Sequence, residues 1–232
     1  MSSLYLRRAA AGAGVVLLVG SLGACSKPAG HESQAKPVPP ATAGAWPGPA
    51  PSSVSAARVE LEALTVAELR PMTGYSRDRF PHWASQGQNC DVREAVLKRD
   101  GQAVTTDAQC KPTSGNWVSP YDGLTVNDPS KIDIDHLVPL AAAWRAGADS
   151  WTDEQRKGLA NDLTRPQLLA VSAASNRSKG DQTPDQWKPP LQSAWCNYGK
   201  AWTNVKSYYK LTVTKPEKAA VGQMLDTCPA GS

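Results

Sequence analysis

The chain has 232 residues, of which 41% are hydrophobic, and its 25 basic and 21 acidic residues give a formal net charge of +4. This length allows one ordinary domain with extensions and excludes an array of several large domains. Because the charge excess is small, overall charge alone does not indicate a nucleic-acid-binding protein.

The N-terminus carries the pattern of an export signal. Arg7 and Arg8 precede an apolar run at residues 9–22, which is too short to span a bilayer stably. We predict a signal peptide at residues 1–24. The small residues before Cys25 resemble a bacterial lipobox, which implies lipidation of Cys25 and membrane anchoring without a spanning helix. The alternative is an ordinary signal peptide followed by a chance cysteine, so the chain is expected to be membrane-anchored or extracellular.

A proline-rich segment follows at residues 25–56, with alanine, glycine and serine between the prolines. It has almost no aliphatic bulk with which to form a core, so we predict a disordered tether in which His31 has no role. The folded domain is therefore expected to occupy residues 57–232.

Four further cysteines fit an exported chain that forms disulfides. Four cysteines allow three pairings, and we favour Cys90–Cys110 with Cys196–Cys228 because each pair brackets one local segment. Zinc binding is the competing interpretation, but there is no C-x-x-C spacing and no nearby pair of histidines.

The pattern of apolar residues predicts mixed helices and strands. An amphipathic helix is expected at residues 57–69, ended by Pro71, and a second at residues 91–100, ended by Gly101. Residues 111–131 are rich in turn formers and indicate loops or a short hairpin. The remaining elements are expected in this order: a strand at 132–137, a helix at 140–146, a helix from the capping residue Thr152 to about Asn161, a strand at 167–171, a short helix from the capping residue Ser172 to Lys179, and mostly helix over 191–225.

Positive charge is concentrated near the C-terminus. Residues 176–220 hold eight basic and three acidic residues, with six tryptophans and tyrosines between them. A basic, aromatic stretch can follow a phosphate backbone and stack bases. The alternative is a solvated face over core aromatics.

Two short motifs carry the strongest functional signal: "DIDH" at residues 133–136 and "SNRSKGD" at residues 175–181. Their order, an acid-rich strand end, a second strand and a short polar helix, resembles the HNH (ββα-metal, His-Me finger) nuclease motif. The chain is similar to the HNH domains of CRISPR effector nucleases, to the C-terminal domain of GmrSD-type restriction endonucleases and to exported single-domain HNH proteins. The resemblance covers residues 75–228 and implies an α+β fold with a ββα-metal core, additional helices and stabilising disulfides.

The resemblance also implies roles for individual residues. His136 is expected to act as the general base, since neutral imidazole can take a proton from water. Asp135 and Asn176 match the positions of metal ligands, and their oxygen atoms suit a single Mg²⁺ or Mn²⁺ ion. The substrate would be DNA, with RNA as the alternative, and no organic cofactor is expected.

Supporting roles fall on neighbouring charged residues. Asp133 is expected to support the site or to be an outer ligand, and Asp181 to brace the loop; for Asp133 the alternative is a solvent-facing strand acid. Arg177 and Lys179 are expected to contact phosphates, with Arg145 and Arg165 as weaker candidates for substrate contact. The alternative for Arg177 and Lys179 is a surface charge that only aids solubility.

One position departs from the HNH pattern. The spacing from Asn176 places Gln167 where the family has an asparagine that orients the loop carrying the base. The longer amide can make the same bonds, or the role can pass to Asn161. His82 is expected to pack on Trp83, with substrate contact as the alternative.

Three hypotheses follow for function. The first is an exported, metal-dependent HNH endonuclease. The second is a non-catalytic HNH-fold envelope lipoprotein that binds nucleic acid or a protein, which Gln167 favours. The third is a structural envelope lipoprotein with a fortuitous motif.

Overall fold

The computed structural model describes residues 46–229. The predicted signal peptide, Cys25, His31 and most of the predicted tether lie outside the described residues. Helix and strand both contribute, as expected for an α+β fold. The helices are α1 (Val54–Ala63), α2 (Val92–Asp100), α3 (Leu140–Arg145), α4 (Asp153–Ala160), α5 (Ala173–Lys179), α6 (Trp195–Tyr208) and α7 (Lys215–Asp226). The strands are β1 (Ser85–Gly87), β2 (Cys90–Asp91), β3 (Gln102–Thr106), β4 (Pro112–Val118), β5 (Thr125–Val126), β6 (Ile132–His136) and β7 (Leu168–Ser172).

The N-terminal helix differs from the prediction at both ends. It begins at Val54, and Trp46 already packs against the core, so the folded part starts before the expected position 57. The helix ends at Ala63, and the prediction that it continues to position 69 was wrong. The reason is tertiary: Val66 forms a parallel bridge with Val213, with backbone hydrogen bonds of 2.9 and 3.0 Å on either side. Extended pairing with a distant segment therefore replaces the last helical turn.

Small sheets and one disulfide lie in the first half of the domain, and a second disulfide lies near its C-terminus. Strands β3, β4 and β5 form an antiparallel sheet, where the sequence indicated only loops or a short hairpin after position 110. A disulfide between Cys90 and Cys110 joins β2 to the β3–β4 turn, and a second between Cys196 and Cys228 joins α6 to the segment after α7. Both favoured pairings are confirmed.

The unit that positions the site is a strand pair followed by a helix. Strands β6 and β7 are antiparallel, with His136 opposite Leu168 and Asp133 opposite Val171. Helix α5 begins immediately after β7, where the Ser172 hydroxyl accepts a hydrogen bond from the Ser175 N–H at 3.2 Å. Because α5 packs back on both strands, polar residues of α5 lie beside those of β6.

Two apolar clusters hold this unit in place. One is formed mainly by α1, α3, α6 and α7 and by one face of β7, and the other by α2, β4 and the opposite face of the β6–β7 pair. Strand β7 is buried along its whole length, so the strand pair is fixed from both sides. Across residues 46–229, no helix has both the length and the apolar character needed to cross a bilayer.

Candidate active site

A polar cavity of about 130 Å³ opens where β6 meets α5. It brings together four residues that the sequence singled out, namely Asp135, His136, Asn176 and Asp181. The full lining is Arg77, Ile134, Asp135, His136, Pro139, Leu140, Asn176, Gly180 and Asp181.

His136 is the last residue of β6 and is only 5% exposed. Its Nε2 lies 3.0 Å from the carbonyl oxygen of Ala160. A carbonyl oxygen can only accept, so Nε2 carries the proton and donates, which leaves the lone pair of a neutral imidazole on Nδ1. Burial lowers the pKa of His136 to about 3, so the ring is neutral near neutral pH. The structure therefore presents His136 as a neutral ring with a free lone pair on Nδ1.

Two aromatic residues cover His136. The rings of His82 and Trp83 lie 6.2 and 5.7 Å from it, measured between centroids. His82 also packs edge-on against Trp83 at 5.1 Å, which confirms the predicted contact. Its Nδ1 donates to the Phe80 carbonyl oxygen at 2.9 Å, so its orientation is set locally.

Asn161 ties the covering segment to the end of α4. Its Oδ1 accepts from the Ala84 N–H at 2.8 Å, and its Nδ2 donates to the carbonyl oxygen of Pro81 at 2.7 Å. Because Asn161 directly follows Ala160, one short stretch of chain holds both His136 and the segment that covers it.

Gln167 fixes the backbone on the other side of His136. This fully buried amide donates to the Val138 carbonyl oxygen at 2.9 Å and accepts from the Val138 N–H at 3.0 Å. The Gln167 carbonyl oxygen also accepts from the Leu137 N–H at 2.7 Å. Both residues that follow His136 are therefore held by position 167, which is the geometry expected of a loop-orienting amide.

Asp135 lies in a buried ion pair. Its Oδ1 accepts from Lys179 Nζ at 2.9 Å, and its Oδ2 accepts from the Tyr121 hydroxyl at 2.6 Å. Lys179 Nζ donates in addition to the His136 carbonyl oxygen at 3.0 Å. Burial raises the pKa of Asp135 and lowers the pKa of Lys179, while the attraction between the two opposes both shifts.

The predicted phosphate contact by Lys179 was wrong. Its side chain is completely buried because α5 packs on β6 and turns this last helical residue towards Asp135. Arg177, two residues earlier, is exposed and remains beside Asn176. Lys179 is thus an internal partner of the site.

Asn176 and Asp133 meet across the helix–strand contact. Asn176 Nδ2 donates to Asp133 Oδ2 at 3.1 Å. This bond uses the amide nitrogen, so the amide oxygen of Asn176 stays available as a ligand. Asp133 thereby orients Asn176.

Two predicted arginines lie outside this cavity. Arg145 donates from Nε to the Arg70 carbonyl oxygen at 3.3 Å and lines a different cavity, which shares only Asp181 with this one. The Arg165 guanidinium stacks 3.0 Å above the Tyr208 ring and pairs with Asp162. The arginine that lines the His136 cavity is Arg77, which sequence reasoning missed because it lies 59 positions from His136 in a turn without a recognisable motif.

The donor set bears on the metal prediction. Among residues 46–229, no three histidine, cysteine or acidic side chains come close enough to form a metal cluster of their own. The cavity instead offers oxygen atoms from Asp135, Asn176 and Asp181. Mg²⁺ keeps several waters and needs only one or two protein carboxylates besides substrate phosphates, and each Asp135 oxygen can accept a further contact. The residues present therefore fit a hard divalent cation.

The fold and cavity define an α+β domain with a histidine-centred polar site. Residues 94–224 match the family described as GmrSD restriction endonucleases, C-terminal domain. A chain from Arthroderma benhamiae (strain ATCC MYA-4681 / CBS 112371), described as an uncharacterized secreted protein, is 52% identical over 189 residues, which cover 79% of this chain and 93% of that one. No solved structure matches. The chain belongs to the GmrSD C-terminal domain family, which is nuclease-related.

Proposed function

We propose that this protein is an exported HNH endonuclease with a ββα-metal core, which hydrolyses phosphodiester bonds in DNA, with RNA as the alternative substrate. The observation that carries the proposal is that Asp135, His136 and Asn176, from β6 and α5, line one cavity in a member of a restriction-endonuclease family. The β6–β7–α5 unit supplies the order of elements that this fold requires.

The chain's own residues account for activation of water. His136 accepts the proton of the attacking water at Nδ1, because its Nε2–H is held by the Ala160 carbonyl oxygen. Gln167 and Asn161 keep the imidazole in position from its two sides. Such preorganisation matters because small misplacements of a catalytic group cost large factors in rate.

The second requirement for hydrolysis is stabilisation of the negative charge on the phosphate. Asp135 and the amide oxygen of Asn176 would hold one Mg²⁺ or Mn²⁺ ion, which when bound supplies Lewis-acid stabilisation of the phosphate and the departing 3′-oxygen. Arg77 in the cavity and the exposed Arg177 add positive charge towards the substrate. Asp181 lines the same cavity, directly after the Gly180 that ends α5.

Removal of the metal tests this proposal directly. We expect supercoiled plasmid to be nicked or linearised with Mg²⁺ or Mn²⁺, to stay intact with EDTA, and to be cut by Asn176→Ala at least tenfold more slowly. The matched control is Asn127→Ala, an exposed asparagine outside the cavity, which should cut like the wild type. Absence of cleavage with every divalent ion, by protein shown to be folded and oxidised, would contradict the nuclease proposal.

Gln167 provides a test of loop orientation. Gln167→Leu keeps the volume but removes both bonds to Val138, so we expect cleavage to slow about 10- to 100-fold. Gln167→Asn should lose less, since the amide is retained. Gln223→Leu, on the exposed face of α7, is the control. A Gln167→Leu rate equal to that of the control would show that this amide does not position the base.

The non-catalytic alternative drew its support from the missing asparagine at position 167. The double hydrogen bond of Gln167 to Val138 supports the catalytic proposal instead, because the longer amide still holds the loop that follows His136. Export agrees with the secreted description of the Arthroderma relative and with the two disulfides. Anchoring through lipid on Cys25 stays part of the proposal.

A further inference from the structure

Trp83 has an unusual backbone conformation for a large side chain. Its φ is +60°, in the left-handed region that non-glycine residues seldom adopt. Such a conformation persists only where the surrounding structure imposes it, and it is most frequent at functional sites. Here the flanking residues are held on both sides, since Asn161 binds Pro81 and Ala84, and the Ala84 carbonyl oxygen accepts from the Val92 N–H at 3.1 Å.

This conformation places one indole ring between two features of the surface. Trp83 packs on His136 at 5.7 Å and also lines a groove of about 490 Å³. The His136 cavity, at about 130 Å³, is well below the size of a nucleotide-sized ligand site. It has room for a phosphate group and water, so the bases of a bound strand must lie outside it. Trp83 therefore both contacts the His136 ring and forms part of the groove wall.

The groove has groups that suit a polynucleotide strand. Arg93 and Lys111 contribute positive charge to its wall, together with the polar side chains of Ser85, Asn89 and Gln109. Its two acids, Asp91 and Glu94, accept hydrogen bonds from each other's backbone N–H groups in the capping box of α2, so their orientation is set locally, and they balance the two cations in number. An aromatic ring beside cations is the arrangement that stacks unpaired bases without sequence preference.

We propose that Trp83 is a stacking platform for an unpaired nucleobase of the bound strand, beside the scissile phosphate. This inference rests on the proposed nuclease function and specifies its substrate as a strand with at least one accessible base. The competing role is that Trp83 only covers His136, in which case it affects cleavage but not base-dependent binding.

The stacking is tested by removing the bases from the oligonucleotide and, separately, the indole ring of Trp83 from the protein. Fluorescence anisotropy would measure the binding of a labelled thymidine 8-mer and of an 8-mer without bases, using the His136→Ala background so that no strand is cut. With Trp83 present, loss of the bases is expected to weaken binding about 5- to 100-fold. With Trp83→Gly, loss of the bases should weaken binding less than twofold. With Trp83→Phe, it should weaken binding by an intermediate factor.

Trp83→Gly is suited to this test because glycine adopts a φ of +60° without steric cost. Thermal unfolding would verify that it folds. Trp151→Phe, a partly buried tryptophan outside the groove, is the control and should keep the full penalty for base removal. The stacking proposal would be overturned if loss of the bases weakened binding equally with Trp83 and with Trp83→Gly in the His136→Ala background. It would also be overturned if neither 8-mer bound. If binding in the His136→Ala background depends on both the bases and the Trp83 ring, but the protein with His136 intact cleaves no DNA or RNA with any divalent ion, the nuclease proposal is overturned and the stacking site stands.

Discussion

Replacement of His136 by alanine is expected to slow DNA cleavage by about 10²- to 10⁴-fold, the range typical for loss of a positioned general base. The reason is specific to its geometry: the Ala160 carbonyl oxygen takes the Nε2 proton, and within residues 46–229 no other imidazole lines the cavity. The measurement is the initial rate of plasmid nicking in Mg²⁺ or Mn²⁺ with purified protein of verified fold.

Two companion experiments separate base chemistry from packing. Added imidazole should restore part of the His136→Ala rate, because the variant leaves a space beside Trp83 that a free ring can enter. His82→Phe keeps an aromatic ring against His136 and should lose less than tenfold. A His136→Ala rate within tenfold of the wild type would contradict the assignment of the general base.

Replacement of Lys179 by methionine is expected to lower the free energy of unfolding by about 3–5 kcal/mol. Lys179 is completely buried and Asp135 is 5% exposed, so the variant leaves a carboxylate in the interior without its cation. Urea denaturation would measure the loss. Tyr121 remains as a donor to Asp135, but a neutral hydroxyl cannot replace a positive charge.

A second variant shows whether the unpaired charge is the cause. Lys179→Met combined with Asp135→Asn removes the charge as well, and should recover a large part of the lost stability. Arg177→Met, an exposed cation on the same helix, should change stability by less than about 0.5 kcal/mol. If Lys179→Met alone lies within 1 kcal/mol of the wild type (of the order of a surface ion pair), the pair is not a structural requirement.

Local signals predicted the unit that carries the site. Alternation of isoleucine and aspartate indicated β6, and Ser172 with Gly180 marked the limits of α5 within a residue. The capping box at Thr152 correctly placed α4. These signals work because a cap or an alternating face depends on residues only a few positions apart.

Contacts between distant segments were not predictable in the same way. Nothing near Val66 shows that Val213 will pair with it, so the length of α1 was overestimated. Only the fold brings Arg77 to the His136 cavity and Trp83 against the His136 ring. No motif in the sequence marks either residue. The β6–β7–α5 unit was therefore predicted from the sequence more accurately than the full membership of the site.

By itself the sequence determined which residues we propose for the chemistry: an imidazole, a carboxylate and an amide at the ends of predictable elements, together with two pairs of cysteines in local segments. Only the tertiary structure decided whether each charged side chain faces the solvent or the interior. Lys179 belongs to a basic, polar run that indicates a solvated helix face, yet packing of α5 on β6 buries it against Asp135. The physical reason is that exposure is a property of what packs over a side chain, and that depends on segments far away in the chain.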